Sequence, residues 1–344
     1  MNKKRLGIVA LLLMVAMVVA GCGQTKQTTK GIQVVSSLDF YGEAAQAVLG
    51  KHGQVTSIIN SPSLDPHSYE PTTQDAKKVA QADVVIENGL GYDQWLSKVA
   101  ASSDSDQQTM ITVNKLMKRT DGANEHLWYD LETMPTLTKQ LITRFSKIDP
   151  AHKADFQKNG QAYLKKLAGL KTQLAGLKAQ AKGQKVAVSE PVFDYALKEM
   201  GYQVANQHFA KAIEDGTDPS PQDIDAMRQL IKKHQIAFLV VNKQEESRTI
   251  KEMHQLATKE KVPVVQVTET LPAKQTYLTW MQQQFECSRK GSKRKMTELV
   301  SAKNLGMTFS NRQVLKDLNF KIEHGSMTSL IGPNGVGKTT SCES

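Results

Sequence analysis

Four short stretches of this 344-residue chain carry side chains that suit a divalent cation. In SLDPHSYEP (63–71) an Asp65-Pro66 turn holds His67, and in NEHLWYD (124–130) His126 stands beside the amphipathic ring of Trp128. In VSEPVFDY (188–195) Glu190 precedes Pro191, and in VTETLP (267–272) Glu269 follows an apolar run. Imidazole nitrogen and carboxylate oxygen together ligate ions such as Zn²⁺ and Mn²⁺. Each stretch alone is open to a plainer reading. A histidine in a loop is commonly just solvated, Glu190 could be the first-turn carboxylate of a helix opened by Pro191, and Glu269 alone says nothing. His208, His234 and His254 lie in no comparable context and read as structural or solvated.

A second kind of chemistry stands near the end of the chain. Gly332 to Thr339 spells G-x-x-x-x-G-K-T, in which Gly332 and Gly337 let backbone N–H groups close around phosphates, Lys338 meets their oxygens and Thr339 a Mg²⁺ ion. Nucleotide hydrolysis also needs a helix after Thr339 and a carboxylate for Mg²⁺. The chain supplies neither, so the loop is expected to be vestigial and inactive.

The elements that must position these residues follow from periodicity. Apolar strand runs are expected at 32–37, 54–59, 83–88 and 110–113, with helices near 41–49, 72–81 and 92–101; a second set of strands is expected at 185–189, 202–206, 236–242 and 263–268. This alternation implies an α/β fold with two Rossmann-like lobes. Between the sets, Phe156, Tyr163, Leu167, Leu170, Leu174 and Leu177 recur at three-to-four spacing behind Asp149-Pro150, the pattern of one long connecting helix. Two of the four stretches come from each half, and at least three fall where a strand ends, the edge at which open α/β sheets collect ligands. The expected organisation is a leader (1–22), a polar tether (23–31), a first lobe (32–148), the connecting helix (149–182), a second lobe (183–286), a basic linker (287–295) and a C-terminal fragment (296–344) that packs poorly.

The amino terminus, MNKKRLGIVALLLMVAMVVAGC, has a cationic head, an apolar run too short for a comfortable membrane span, and small residues before Cys22. It reads as an export signal. The formal net charge of +10 is concentrated there and in SRKGSKRK (288–295), which leaves the body nearly balanced and gives no basic face for nucleic acid. Besides Cys22 the only cysteines are Cys287 and Cys342, so the body holds neither a disulfide framework nor a cysteine-rich zinc site.

These segments carry family resemblances. Val19-Ala20-Gly21-Cys22 resembles the lipobox of bacterial lipoproteins, which implies a lipid on Cys22 and an extracytoplasmic body anchored to the outer face of the cytoplasmic membrane. DPHSYEPT, EHLWYD, SEPVFDY and VTETLP, with AIEDGTDPSP (212–221), resemble the zinc/manganese-binding lipoproteins that deliver metal to ATP-binding-cassette importers. The family commonly has Asp-Pro where Asn124-Glu125 stand here. By that resemblance the ligands are His67, His126, Glu190 and Glu269, and the fold is two α/β lobes bridged by a long helix. The partners would be an importer permease with its ATPase, and the protein a monomer.

Two imidazoles and two carboxylates make an N₂O₂ to N₂O₄ set. Zn²⁺ favours four ligands and Mn²⁺ more oxygen. Family members specialised for zinc often use a third histidine and a His-rich acidic loop, whereas here Glu190 takes the third place and KLMKRTDGAN (115–124) contains no histidine, so the resemblance implies Mn²⁺ as cargo, with Zn²⁺ a strong competitor in vitro. A closed shell without a nucleophile or base beside it is a carrier's site, not an enzyme's.

The stretch from Met296 through the phosphate loop resembles the start of an ATP-binding-cassette ATPase, as if two adjacent reading frames had been joined by a frameshift or assembly error. The competing reading is an ATPase or fused transporter subunit. The resembling group includes streptococcal manganese-binding lipoproteins called adhesins, a role for which no residue here argues independently.

Overall fold

A computed structural model describes residues 31–103, 108–181, 183–292, 298–309 and 312–323. Cys22 and the phosphate-loop residues Gly332, Gly337, Lys338 and Thr339 lie outside them. The first lobe runs β1 (Ile32–Leu38), α1 (Asp39–Leu49), β2 (Gly53–Ile59), α2 (Thr73–Ala80), β3 (Val84–Glu87), α3 (Gln94–Ala101), β4 (Thr109–Thr112) and α4 (Val113–Leu116). All its strands pair in parallel in the order β2-β1-β3-β4. Central strands covered on both faces should be almost continuously apolar, and all four residues of β3 are buried.

After α5 (Thr133–Ile148) and a single 3₁₀ turn at Pro150–His152 comes α6 (Lys153–Ala181). Its 29 residues extend for about 44 Å. The six apolar residues that define its stripe, Phe156 to Leu177, are all buried. On one side α6 packs against α1 and α5; on the other it meets α7 (Asp194–Glu199) and α11 (Tyr277–Ser292) of the second lobe. That lobe repeats the first sheet's order. Strands β5 (Lys185–Val188), β6 (Gln203–Val204), β7 (Leu239–Asn242) and β8 (Val264–Val267) lie parallel as β6-β5-β7-β8, connected through α7, α8 (Gln207–Glu214), α9 (Pro221–Lys232) and α10 (Arg248–Lys259).

The fold is therefore the two-lobed α/β arrangement with a bridging helix. One hydrophobic cluster runs through both lobes, from Val34 and Val84 by way of the α6 stripe to Val188 and Val240. Aromatic rings tie the halves together at the seam: Phe40 meets Trp280 at 5.6 Å between centroids, and Tyr129 meets Trp280 at 5.6 Å and Phe193 edge-on at 4.9 Å. Hydrogen bonds across the same seam run from Tyr129 Oη to the Thr268 carbonyl (2.5 Å) and from Tyr277 Oη to the Trp128 carbonyl (2.6 Å).

Helix α11 continues to Ser292, into the stretch whose composition suggests a linker. Packing explains the difference, since Ser288 is buried and a Cβ on Gly291 would lie 2.5 Å from Val265 Cγ2. Beyond it, β9 (Glu298–Phe309) and β10 (Arg312–Glu323) pair antiparallel with several register shifts and join neither parallel sheet. No helix among the described residues is long and apolar enough to cross a membrane.

Candidate metal centre

The strand ends of the two sheets converge on a cleft of about 510 Å³ lined by the 62–67 loop and by Glu190, Glu214, Asn242, Gln244 and Glu269, among others. His67 follows β2 in a loop fixed by the Asp65 side chain, which accepts from the His67 backbone N–H (3.0 Å) and from Ser68 Oγ (2.7 Å). Trp95 Nε1 donates to the Pro66 carbonyl at 3.1 Å and pins the same turn. The His67 ring is half-exposed, sits edge-on to Tyr92, and points Nε2 at Glu125 Oε1, 3.2 Å away.

His126 is its opposite in setting, 1% exposed and just before a 3₁₀ turn at Leu127–Tyr129. Asn124 Oδ1 accepts from the backbone N–H of His126 at 2.9 Å, and His126 Nδ1 lies 2.9 Å from the same oxygen. An amide oxygen only accepts, so Nδ1 carries a proton, and Nε2 is the nitrogen that offers its lone pair when the ring is neutral. That Nε2 is buried and has no hydrogen-bond partner. It faces Glu214 Oε1 at 3.7 Å and Glu269 Oε1 at 3.8 Å, too far for hydrogen bonds.

Glu190 leaves the end of β5 and Glu269 the end of β8, and Asn242, the last residue of β7, joins them. Its Nδ2 donates to Glu190 Oε2 (2.9 Å) and lies 3.3 Å from Glu269 Oε2. Tyr92 Oη, from the first lobe, donates to Glu269 Oε1 at 2.8 Å. Gln244 Oε1 accepts from the backbone N–H groups of Glu269 and Thr270, while its Nε2 donates across the cleft to the Pro62 carbonyl at 3.0 Å. The 89–93 loop that presents Tyr92 is held by buried Asp93, which accepts from the N–H groups of Asn88 (2.7 Å) and Gly89 (2.9 Å).

The structure thus brings His126 and Glu269 together, places Glu190 beside Glu269 through Asn242, and sets His67 at the mouth of the same cleft with Glu125 as its direct partner. Sequence reasoning did not single out Glu125, Glu214, Tyr92, Asn242 or Gln244. One donor atom each from His67, Glu125 and Glu214 lies within 4.8 Å of the others. A polar Asn ending the apolar strand IAFLVVN was a readable signal for Asn242; Glu125 and Glu214 had no signal beyond lying in the quoted motifs.

Crowded carboxylates set the electrostatics. Burial alone would lower the His126 pKa, but the carboxylates of Glu269, Glu214 and Glu125 overcome it and raise it to about 9. Burial lifts Glu190 to about 7, opposed by the Asn242 bond and helped by Glu269. Glu269 is held below the usual carboxylate range despite burial, chiefly by His126, with Tyr92 and His67 assisting. The Glu125 and Glu214 carboxylates offer oxygens within 4.8 Å of each other: burial pushes Glu214 up, whereas Glu125 is lowered against burial by His67. A pocket this rich in anionic oxygen draws a proton onto the buried His126 ring, and a divalent cation can take that proton's place.

Two parallel α/β lobes on one bridging helix, with imidazoles and carboxylates at the facing strand ends, agree with what sequence comparison finds. Residues 34–287 match the family described as zinc-uptake complex component A, periplasmic, and the chain belongs to that family. Residues 315–344 match the ABC transporter family. The chain is 27% identical over 263 residues to the metal ABC transporter substrate-binding lipoprotein SloC of Streptococcus mutans, covering 72% of this chain and 85% of that one. It is 26% identical over 258 residues to the manganese-binding lipoprotein MntA of Bacillus subtilis, covering 72% and 83%. Among solved structures, FpvC of Pseudomonas aeruginosa in complex with Mn²⁺ superposes with a TM-score of 0.63 at 23% identity, covering 76% of this chain and 98% of that chain, a likeness of fold.

Proposed function

We propose that this chain is a non-enzymatic solute-binding protein that captures a divalent metal ion outside the cytoplasmic membrane and hands it to the permease of an ATP-binding-cassette importer. The relatives named as metal-transporter lipoproteins support that class, and the lipobox-like Val19-Ala20-Gly21-Cys22 supports attachment through a lipid on Cys22. The lobes would be residues 32–148 and 183–286, joined by 149–182, with His67, His126, Glu190 and Glu269 as ligands to the ion and Mn²⁺ preferred to Zn²⁺.

The observation that carries this reading is the buried, unpartnered Nε2 of His126. A buried, unpartnered nitrogen is costly unless something occupies the space in front of it. Two carboxylates stand 3.7 and 3.8 Å away, the separation of neighbouring ligands around one ion rather than of a hydrogen bond. Asn124 fixes the ring as a metal ligand's outer partner should. The test is elemental analysis of protein purified without added metal, followed by calorimetric titration of the full chain and of His126→Ala with Mn²⁺ and Zn²⁺. Tight binding by the parent and none by the variant is expected; equal binding by both would sink the assignment. Phosphate release from ATP by the full chain would instead favour the ATPase reading.

A further inference from the structure

The cleft offers more oxygen than the four ligands proposed above use. Glu214, the last residue of α8, places Oε1 3.7 Å from His126 Nε2, the same separation within 0.1 Å as Glu269 Oε1. From the side of the cleft, then, His126 is flanked equally by two carboxylates, only one of which belongs to the proposed set. Glu125 stands in the segment that carries His126 and lies 3.2 Å from His67 Nε2, and the donor atoms of His67, Glu125 and Glu214 are mutually within 4.8 Å. Glu125 and Glu214 are each largely buried, with side chains 16% and 11% exposed. No lysine or arginine pairs with either of them among the ion pairs of the described residues. Two buried carboxylates that lack a lysine or arginine partner and converge on His126 Nε2, a buried nitrogen with no hydrogen-bond partner, point to a cation that all of them share.

Resting on the reading of this cleft as a cation site, we propose that Glu214, assisted by Glu125, determines metal specificity: Glu214 supplies a further oxygen ligand that turns a four-donor site into a higher-coordinate, oxygen-rich one selective for Mn²⁺ over Zn²⁺. Two imidazoles and four carboxylates, each giving one oxygen, make an N₂O₄ set without requiring any carboxylate to bind through both oxygens. A hard ion that takes six ligands uses such a set fully, whereas Zn²⁺ is satisfied by two imidazoles and two carboxylates in a tetrahedron. Glu125 bonds His67 on one side and reaches toward Glu214 on the other, so it positions both, and it enters the shell itself when its oxygen turns to the ion. Selectivity would therefore reside in residues that the four ligand motifs do not single out.

The test compares Glu214→Gln and Glu125→Gln with the parent full chain, by competition titration with Mn²⁺ and with Zn²⁺ and by X-ray absorption at the Mn edge. In Glu214→Gln, Mn²⁺ affinity should fall about tenfold or more, Zn²⁺ affinity should change by less than about threefold, and the Mn shell should lose an oxygen scatterer. Glu125→Gln should shift selectivity in the same direction by less. Unchanged Mn²⁺ affinity in Glu214→Gln, or an equal loss for both ions, would overturn the proposal. Glu214→Asp guards against misfolding, since it keeps the charge but withdraws the oxygen, and it should reproduce the Mn²⁺-selective loss. His126→Ala distinguishes the two levels: if it still binds metal tightly, the site reading itself fails, whereas its loss of binding alongside an unaltered Glu214→Gln defeats only the specificity claim.

Discussion

Asn124 and His126 are joined twice: the amide oxygen of Asn124 accepts both the backbone N–H and the Nδ1–H of His126, each at 2.9 Å. Asn124 also reaches the other lobe, donating from Nδ2 to the Pro191 carbonyl at 2.6 Å and accepting from Tyr195 Oη at its own carbonyl, 2.8 Å away. The residue that orients the buried imidazole therefore also registers one lobe against the other, so the tautomer of the site depends on the seam being closed.

Asn124→Ala removes the acceptor that holds the Nδ1 proton and cuts one of the two links to the second lobe. Free to rotate and to change tautomer, His126 should bind Mn²⁺ about 10–100-fold more weakly, the usual cost of losing the outer partner of a ligating histidine. Calorimetric titration checks the affinity. A melting temperature close to that of the parent would show that the loss lies in orientation and not in folding.

Stability of the metal-free protein should decline as pH rises from weakly acidic to alkaline. His126 is raised from 6.5 to about 9 and Glu190 from 4.5 to about 7, so between these limits the folded state holds protons that the unfolded chain releases. The His126 contribution is complete below about 6.5 and is lost through about 9; that of Glu190 is complete below about 4.5 and is lost through about 7. Glu269, lowered by its neighbours, acts in the opposite sense and only in acid, where its contribution disappears as pH falls. Bound cation takes the place of the held protons, so Mn²⁺ affinity should climb with pH and saturating Mn²⁺ should flatten the alkaline decline. Thermal melts from pH 5 to 9 with chelator and with Mn²⁺ measure both trends; parallel curves would contradict them.

Away from the cleft, Glu43 on α1 caps α11 of the other lobe, its Oε2 accepting from the Tyr277 backbone N–H at 2.7 Å while Oε1 faces Tyr163 Oη at 3.4 Å. Burial raises its pKa despite these bonds, so the group is held in place at some cost. Glu43→Ala should destabilise the chain by about 1–2 kcal/mol, as loss of a helix N-terminal acceptor does elsewhere, and leave Mn²⁺ affinity unchanged. Urea unfolding with and without metal would show it.

The fold was legible because its signals are local. The eight apolar runs and the stripe from Phe156 to Leu177 name the strands and the connecting helix, and the structure differs chiefly in trimming their ends: YQVAN yields only the two-residue β6 and IAFLVVN only its last four residues. What was hidden depends on tertiary approach. Nothing in NEHLWYD says which way Glu125 turns, because an irregular loop has no periodicity to fix a face, and Glu214 reaches the cleft only because α8 ends near His126 and the loop that carries it. The basic run after Phe285 reads as a linker by composition; its start, through Ser292, is the end of α11, where Gly291 sits against Val265 and Phe238, a contact that offsets the helix-weakening propensity of glycine.

The C-terminal hairpin provides the last prediction. β9 and β10 hydrogen-bond only to each other among the strands described, and a lone two-stranded hairpin has little stability to lend. Helix α11, by contrast, buries Tyr277, Trp280, Met281 and Phe285 in the core that spans both lobes, and Trp280 Nε1 donates to Thr268 Oγ1 at 2.9 Å, next to the ligand candidate Glu269. The boundary that matters for metal binding is therefore the end of α11, not the start of the segment resembling an ATPase. A chain ending at Ser292 should keep the melting temperature and the Mn²⁺ affinity of the full chain, whereas one ending at Leu278 should lose both. Should removal of the hairpin alone weaken Mn²⁺ binding, the ATPase-like segment would have to be counted as part of the binding protein's working structure.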